Sequence, residues 1–327
     1  MQVAVIGGGP AGMVAAILLA RRGIACTIIE RGQWPIDKVC GEGIMPNGVD
    51  LMEEIGLLER LDPKRCRPFH GVRYIDSSGR QAAGRFRNCS GLVVRRLALS
   101  EALLELAQEE ELVTLMGATQ LKGLEEDPDQ VSLQVLDLGC GELRHLGGFD
   151  YVIGADGLRS RVRSLAGLDG PPERAPGKQP KRLGARIHFQ IEPWDELVQV
   201  WWQDGIECYV SPSAEDCVEF SFGWDQDKLD PRRVHGSRVS LEEGLFHHFP
   251  QLKQRILGAT PSSKLRSWGP LPQRAATHQR GRITLIGDAS LFFDQITGEG
   301  ISMAFSQAAL VAKTLPSWAQ PGGRRAH

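Results

Sequence analysis

Long apolar runs are missing from this chain of 327 residues: the longest, residues 11–20, ends at Arg21 and Arg22. That is well short of the ~20 residues needed to cross a bilayer, so no transmembrane span is expected, although a peripheral membrane contact stays open. The first residues carry no basic region and read directly into a strand, which argues against a cleaved signal peptide. No C-x-x-C occurs among the seven cysteines, at 26, 40, 66, 89, 140, 208 and 217. An odd count without such pairs excludes a disulfide framework and a zinc ribbon, and it points to a reducing, cytoplasmic compartment. Excess charge is absent too, since 38 Lys+Arg face 40 Asp+Glu, so no nucleic-acid partner is expected. The 38 glycines and 19 prolines are scattered rather than tracted, which excludes a low-complexity or collagen-like chain. Of the eight histidines, the one close pair, His247 and His248, points to different faces of any regular element, and no metal site is expected.

What is present is concentrated first in the opening thirty residues. A strand to Ile6, the turn Gly7-Gly8-Gly9-Pro10-Ala11-Gly12, a helix over 10–22 and a strand over 24–30 form a βαβ unit in which Gly7, Gly9 and Gly12 satisfy G-x-G-x-x-G. Gly7 permits the tight turn, Gly9 lets backbone N–H groups approach a pyrophosphate, and Gly12 lets helix and strand pack closely. Glu30 ends the second strand, where a carboxylate accepts from both hydroxyls of an adenosine ribose, which suits FAD or NAD better than NADP.

Two later strands end in chemistry-bearing turns: Tyr151-Val152-Ile153-Gly154-Ala155-Asp156-Gly157 and Arg282-Ile283-Thr284-Leu285-Ile286-Gly287-Asp288. With these motifs in this order the sequence resembles the group A flavoprotein monooxygenase superfamily. The resemblance implies an α/β fold in which a Rossmann-like FAD-binding domain carries a second, antiparallel β-sheet substrate domain, as in p-hydroxybenzoate hydroxylase. It also implies tightly but non-covalently bound FAD, with NAD(P)H as reductant. Asp288, after Gly287, would contact the ribityl chain, and Asp156 with Gly157 would lie near the pyrophosphate. Arg96, with Arg95 as its register alternative, would touch the flavin nucleotide, and Arg31 and Lys38 complete the basic side of the cofactor set.

Thr297-Gly298-Glu299-Gly300-Ile301 leads into an amphipathic helix that reaches about residue 315, and its backbone N–H groups would face a reduced flavin. Glu299 reads as a helix cap. Lys38-Val39-Cys40-Gly41-Glu42-Gly43 and Tyr209-Val210-Ser211-Pro212 resemble elements of the geranylgeranyl reductase branch. By that resemblance Cys40 and Gly41 lie beside the flavin ring and Tyr209 on the substrate side, the three candidate catalytic positions.

Residues 1–70, 90–168 and 270–315 are expected to build the FAD-binding domain, 71–89 and 181–269 the substrate sheet, and 316–327 a disordered tail. Residues 170–180 read as a mobile linker, and 241–257 as one helix on the sheet's edge. Trp201, Trp202, Tyr209, Phe220, Phe222 and Trp224 would give the sheet an aromatic face, half of it plain core. The function expected is an oxidoreductase acting on a hydrophobic small molecule, foremost hydroxylation of an aromatic or polyketide-like compound. C=C reduction of the geranylgeranyl reductase type is the alternative, and flavin halogenation or non-catalytic FAD binding rank lower. Gln295 departs from the proline that both main branches carry there.

Overall fold

The structure is a computed structural model that describes residues 1–169, 181–271 and 274–318. The expected linker at 170–180 and the tail beyond residue 318 lie outside the described residues. A six-stranded sheet, ordered Gln279–Arg280, Ile283–Leu285, Tyr151–Gly154, Gln2–Ile6, Ala25–Ile29, Val113–Met116, is parallel except at its first pair. Its central strands are buried on both faces, as the unbroken apolar runs require. One face is covered by the helices Pro10–Ala20, Arg96–Glu109 and Gly300–Trp318, which share a single core with it. The other face carries an antiparallel meander, Thr119–Glu126, Val131–Asp137 and Leu143–Phe149. The last helix thus continues three residues beyond the expected end at 315, into the segment read as a disordered tail.

The second large sheet has eight strands, built from Gly71–Ile75, Gln81–Arg85 and six segments between residues 182 and 268. Its long strands Arg182–Gln190, Ile206–Ala214 and Cys217–Asp225 pair antiparallel, with Ile187 opposite Phe220 and Phe220 opposite Val210. Alternation sorts the side chains cleanly. Phe220, Phe222 and Trp224 pack with Ile187 and Phe189 in a core that also takes in Leu245, Phe246 and Phe249. The alternating set Glu207, Tyr209, Ser211, Ser213, Glu219, Ser221, Arg186 and His188 lies on the opposite side, toward the first domain's loops. The aromatic face expected from sequence therefore faces away from the first sheet. Tyr209 belongs to the opposite side, and Trp202 is exposed against Tyr74 at 5.6 Å.

The segment expected as one helix over 241–257 is two, Leu241–His247 and Pro250–Arg255. Pro250 has no N–H to continue the ladder, and it forces Phe249 out of helical geometry, at φ −128° and ψ 69°. Phe246 is 2% exposed and stacks edge-on against Phe189, Phe220 and Phe222, at 5.8, 5.3 and 5.1 Å between ring centroids. Truncating it leaves a large void, so Phe246→Ala is expected to cost about 3–5 kcal/mol in chemical denaturation. An unchanged midpoint would mean that the helix pair is not part of the cooperative core.

Candidate active site

A cavity of about 800 Å³ lies between the C-terminal ends of the parallel strands and the second sheet. That is at the large end for a small-molecule site. Its floor begins at the glycine turn. Gly7 has φ +108°, and a Cβ there would sit 2.4 Å from Ala155 O, while a Cβ on Gly12 would sit 2.0 Å from Gly7 O. Both positions require glycine. At Gly9 a Cβ would meet only Arg96 Nη2, at 3.9 Å, so this backbone is open to the cavity. Gly9 precedes the helix Pro10–Ala20 with no side-chain cap, which leaves the first-turn N–H groups free for an anion. Trp34 clamps the turn from outside, donating from Nε1 to Gly8 O at 3.1 Å.

Of the cofactor set expected from sequence, Gly7, Gly9, Glu30, Arg31, Lys38, Cys40, Gly41, Arg96, Asp156, Gly157, Gly287, Asp288, Gly298, Gly300 and Ile301 line this one cavity, together with Tyr209. Gly12 sits beneath the turn, and Glu299 is exposed outside the lining. No side-chain cap by Glu299 is seen; Asp294 instead accepts from Ile296 N at 3.1 Å to hold the turn before it. Glu30 accepts from Gly8 N at 2.8 Å and Gly32 N at 2.7 Å, which fixes both oxygens while leaving lone pairs for a ribose. Asp156 uses Oδ2 to accept from Arg161 N and Val162 N, at 2.7 and 3.2 Å, and its buried Oδ1 has no partner. Burial, only partly offset by these bonds, pushes its carboxyl up. Lys38 Nζ and Asp288 Oδ2 are ion-paired at 2.5 Å across the cavity.

Several site residues were given no role by the motifs. Arg163 donates to Ala289 O and Leu158 O, at 2.9 Å each, and so ties the Asp-Gly turn to the Gly-Asp turn. Gln295 reaches into the second sheet and donates to Glu207 at 2.9 Å, in space that exists because residue 223 is glycine. A Cβ on Gly223 would fall 1.3 Å from Gln295 Nε2. The largest unannounced feature is a buried network on the polar side of the second sheet. Glu42, 1% exposed and at φ +51°, accepts from Arg96 N at 2.9 Å, Arg186 Nη1 at 2.8 Å and Ser213 Oγ at 3.4 Å. His188 Nε2 lies 2.9 Å from Glu42 Oε2, and Nδ1 lies 2.9 Å from Ser263 Oγ. Arg186 also reaches Asp37 at 2.9 Å.

Burial raises Glu42, but the hydrogen bond from His188 and the charge of Arg186 outweigh it and hold the carboxyl below its usual range. Burial pulls His188 down further than Glu42 raises it, so a neutral ring donates to a carboxylate. Cys40 lines the cavity, and burial pushes its thiol up, so it is a neutral, weakly nucleophilic group.

The residues present fit a flavin dinucleotide. The uncapped helix terminus and Arg96, whose buried Nε has no partner, form an anion cradle at the end nearest Glu30. The opposite end is roofed by the second sheet. A glycine-turn dinucleotide fold joined to such a roof defines a two-part flavoprotein enzyme. The profile of the FAD binding domain family matches residues 1–322, and the chain belongs to that family. It is similar to 6-methylpretetramide 4-monooxygenase of Streptomyces rimosus, 28% identical over 324 residues that span 94% of this chain and 73% of the relative. It is also similar to 3-amino-4-hydroxybenzoate 2-monooxygenase of Streptomyces cremeus, 26% identical over 89% of this chain and 72% of the relative. In structure it resembles the flavin-dependent halogenase CmlS with a TM-score of 0.84, 21% identity, and coverage of 98% of this chain and 59% of that one. That likeness concerns the fold alone. The resemblance to the group A flavoprotein monooxygenases is confirmed, while these relatives do not single out the geranylgeranyl reductase branch.

Two outcomes follow from this geometry. Arg96→Ala removes a charge-assisted contact of about 1.5–3 kcal/mol, so FAD affinity read by flavin fluorescence should fall roughly ten- to a hundred-fold. Unchanged affinity would remove Arg96 from the cradle. Because folding lowers the pKa of His188 from 6.5, the unfolded chain binds a proton that the folded ring does not, and stability is lost as pH falls below about 6.5. In His188→Gln the acid limb of the stability–pH profile should be shallower; identical limbs would show that His188 is protonated in place.

Proposed function

We propose that this protein is an FAD-dependent monooxygenase that uses NAD(P)H and O₂ to hydroxylate an apolar aromatic or polyketide-like molecule. The carrying observation is the continuity of the cavity. The anion cradle at Gly9 and Arg96 opens without a wall into a chamber lined by Phe69, Val72, Val198, Val200 and Tyr209. FAD, once bound, supplies the redox chemistry and the activation of O₂. The chain's own residues supply position and electrostatics. The start of the helix Gly300–Trp318, preceded by Gly298 at φ +64°, presents the positive end of its dipole to the cavity and stabilises negative charge there. The apolar roof excludes water and accepts a flat apolar ring. Tyr209 is 8% exposed, and its hydroxyl has no hydrogen-bond partner, so it is a group on the roof free to orient a polar substituent of the substrate. Burial, followed by the nearby Glu207 and Asp294 carboxylates, pushes this phenol up, so it acts as a neutral donor. The names of the two relatives described above support hydroxylation over C=C reduction.

The test is NAD(P)H oxidation by the FAD-loaded protein, in air and without oxygen, against a panel of phenols, polycyclic aromatics and polyprenyl compounds. The expected result is a compound that accelerates flavin reduction and yields, only in air, a product bearing one atom from labelled O₂. Anaerobic turnover with a product that gains two hydrogens would replace this reading with the reductase. Halide-dependent product would replace it with the halogenase.

A further inference from the structure

Glu219 stands apart from the rest of the polar network. It is completely buried near the start of Cys217–Asp225, with His188 directly opposite on one neighbouring strand and Ser211 on the other. Its Oε2 has no hydrogen-bond partner. Its Oε1 lies 2.9 Å from the hydroxyl of Ser221, and Ser221 lines the cavity, with Oγ 3.4 Å from Cys40 O. One atom each of Glu42, His188 and Glu219 lie within 4.8 Å of one another. Two buried carboxyl groups therefore share one site, where Arg186 Nη1 and the neutral His188 ring donate to Glu42, Arg186 Nη2 donates to Asp37, and Arg186 Nε has no partner. Arg95, just before the helix Arg96–Glu109, and Cys40, on the cofactor loop, are also near enough to act on the group. Burial first, then the Glu42 carboxylate, hold Glu219 far above the usual carboxylate range, against the pull of Arg186, Ser221 and Arg95. Neighbouring carboxyls driven apart in this way have separate tasks, one fixed as an anion and one carrying a proton.

We propose that Glu219 stores a proton and exchanges it, through the hydroxyl of Ser221, with an oxygen atom of a ligand in the cavity. This rests on the reading of the cavity as holding an oxygen-bearing aromatic compound. In the donating direction the Glu219 O–H bond breaks and its proton bonds to Ser221 Oγ. The serine's own proton leaves for the ligand oxygen, so Ser221 is unchanged and Glu219 is left as a carboxylate. In the reverse direction a phenol loses its proton to Ser221 as Ser221 returns one to Glu219. On the same polar side, half-buried Ser263 meets His188 Nδ1 and His188 Nε2 meets Glu42, within 4.8 Å of Glu219. Ser221 is the contact with the cavity, and Glu219 acts through it.

Infrared spectroscopy of the FAD-loaded protein at neutral pH tests the store without requiring turnover. A neutral carboxyl C=O band that shifts in D₂O should vanish in Glu219→Gln, move in frequency in Ser221→Ala and survive in Glu207→Gln and in Asp156→Asn, which remove the other carboxyls that burial raises. A band that persists in Glu219→Gln overturns the proposal. The transfer itself is read with 4-nitrophenol, whose phenol and phenolate differ in colour, by stopped-flow pH jump. Protonation of the bound probe should slow about a hundred-fold in both Glu219→Gln and Ser221→Ala, within the range for positioned acids and bases, and recover in Ser221→Thr. Equal rates in all four proteins overturn the relay. If wild-type protein binds no phenol, the aromatic-substrate reading fails by itself, and the infrared bands still decide whether Glu219 holds a proton coupled to Ser221.

Discussion

The carboxylate of Glu42 is the joint on which the architecture turns. It accepts from the backbone at the start of the helix Arg96–Glu109, from Arg186 and His188 on one strand of the roof and from Ser213 on another. Its own backbone belongs to the loop that presents Cys40 and Gly41 to the cavity. One buried charge thus fixes the first sheet's helical layer, the cofactor loop and the roof relative to one another. A buried anion of this kind is tolerable only because its acceptor positions are filled and a cation is at hand, and losing such a partner typically costs about 3–5 kcal/mol. The positive φ of Glu42, unusual for a residue with a side chain, is the strain that brings the carboxylate into place.

How much of this was legible in the sequence differs between the two halves of the molecule for a physical reason. The glycine turn, the terminal Glu30 and the Asp-Gly and Gly-Asp turns bind through backbone and through residues whose type is dictated by steric limits. A Cβ on Gly12, 2.0 Å from a carbonyl oxygen, leaves no alternative, and such positions are readable in one sequence. The roof is different. Period-2 alternation showed its strands and grouped Phe220, Phe222 and Trp224 on one side, but it carries no information on which side faces the cofactor. That is decided by the helices Leu241–His247 and Pro250–Arg255, which bury the aromatic side and leave the polar side for Glu42. The network around Glu42 was invisible because its members lie at 42, 186, 188, 213 and 219 and meet only through tertiary packing. The one local trace was an acidic residue between two glycines.

Gln295 shows how a departure from a family pattern can be absorbed. The side chain crosses from the cofactor loop to the roof and donates to Glu207, which Arg182 also contacts. The crossing needs a gap in the roof, and glycine at 223 supplies it, whereas a Cβ at residue 184 would lie 3.4 Å from Gln295 Oε1, an ordinary contact. Proline at this position would fix the loop through its own backbone. Glutamine fixes it through a hydrogen bond to the opposite wall, which couples the loop's position to the substrate sheet.

The two ends of the cavity are therefore held by different physics. At the dinucleotide end, backbone N–H groups, a helix terminus and Arg96 meet charge, and each is anchored by glycines or by buried arginine bonds that a substitution would disrupt throughout. At the roof, the side chains that meet a substrate point away from the aromatic core beneath the same strands. A change at Tyr209 or Val200 alters the chamber without opening a void beside Phe220. The first end ties the fold to one cofactor, whereas the second leaves ligand shape to be set by few side chains. Substrate class in such a scaffold is consequently a property of the roof's inner face, where polar groups stand ready at Tyr209, which a motif announced, and at Ser221, which none did.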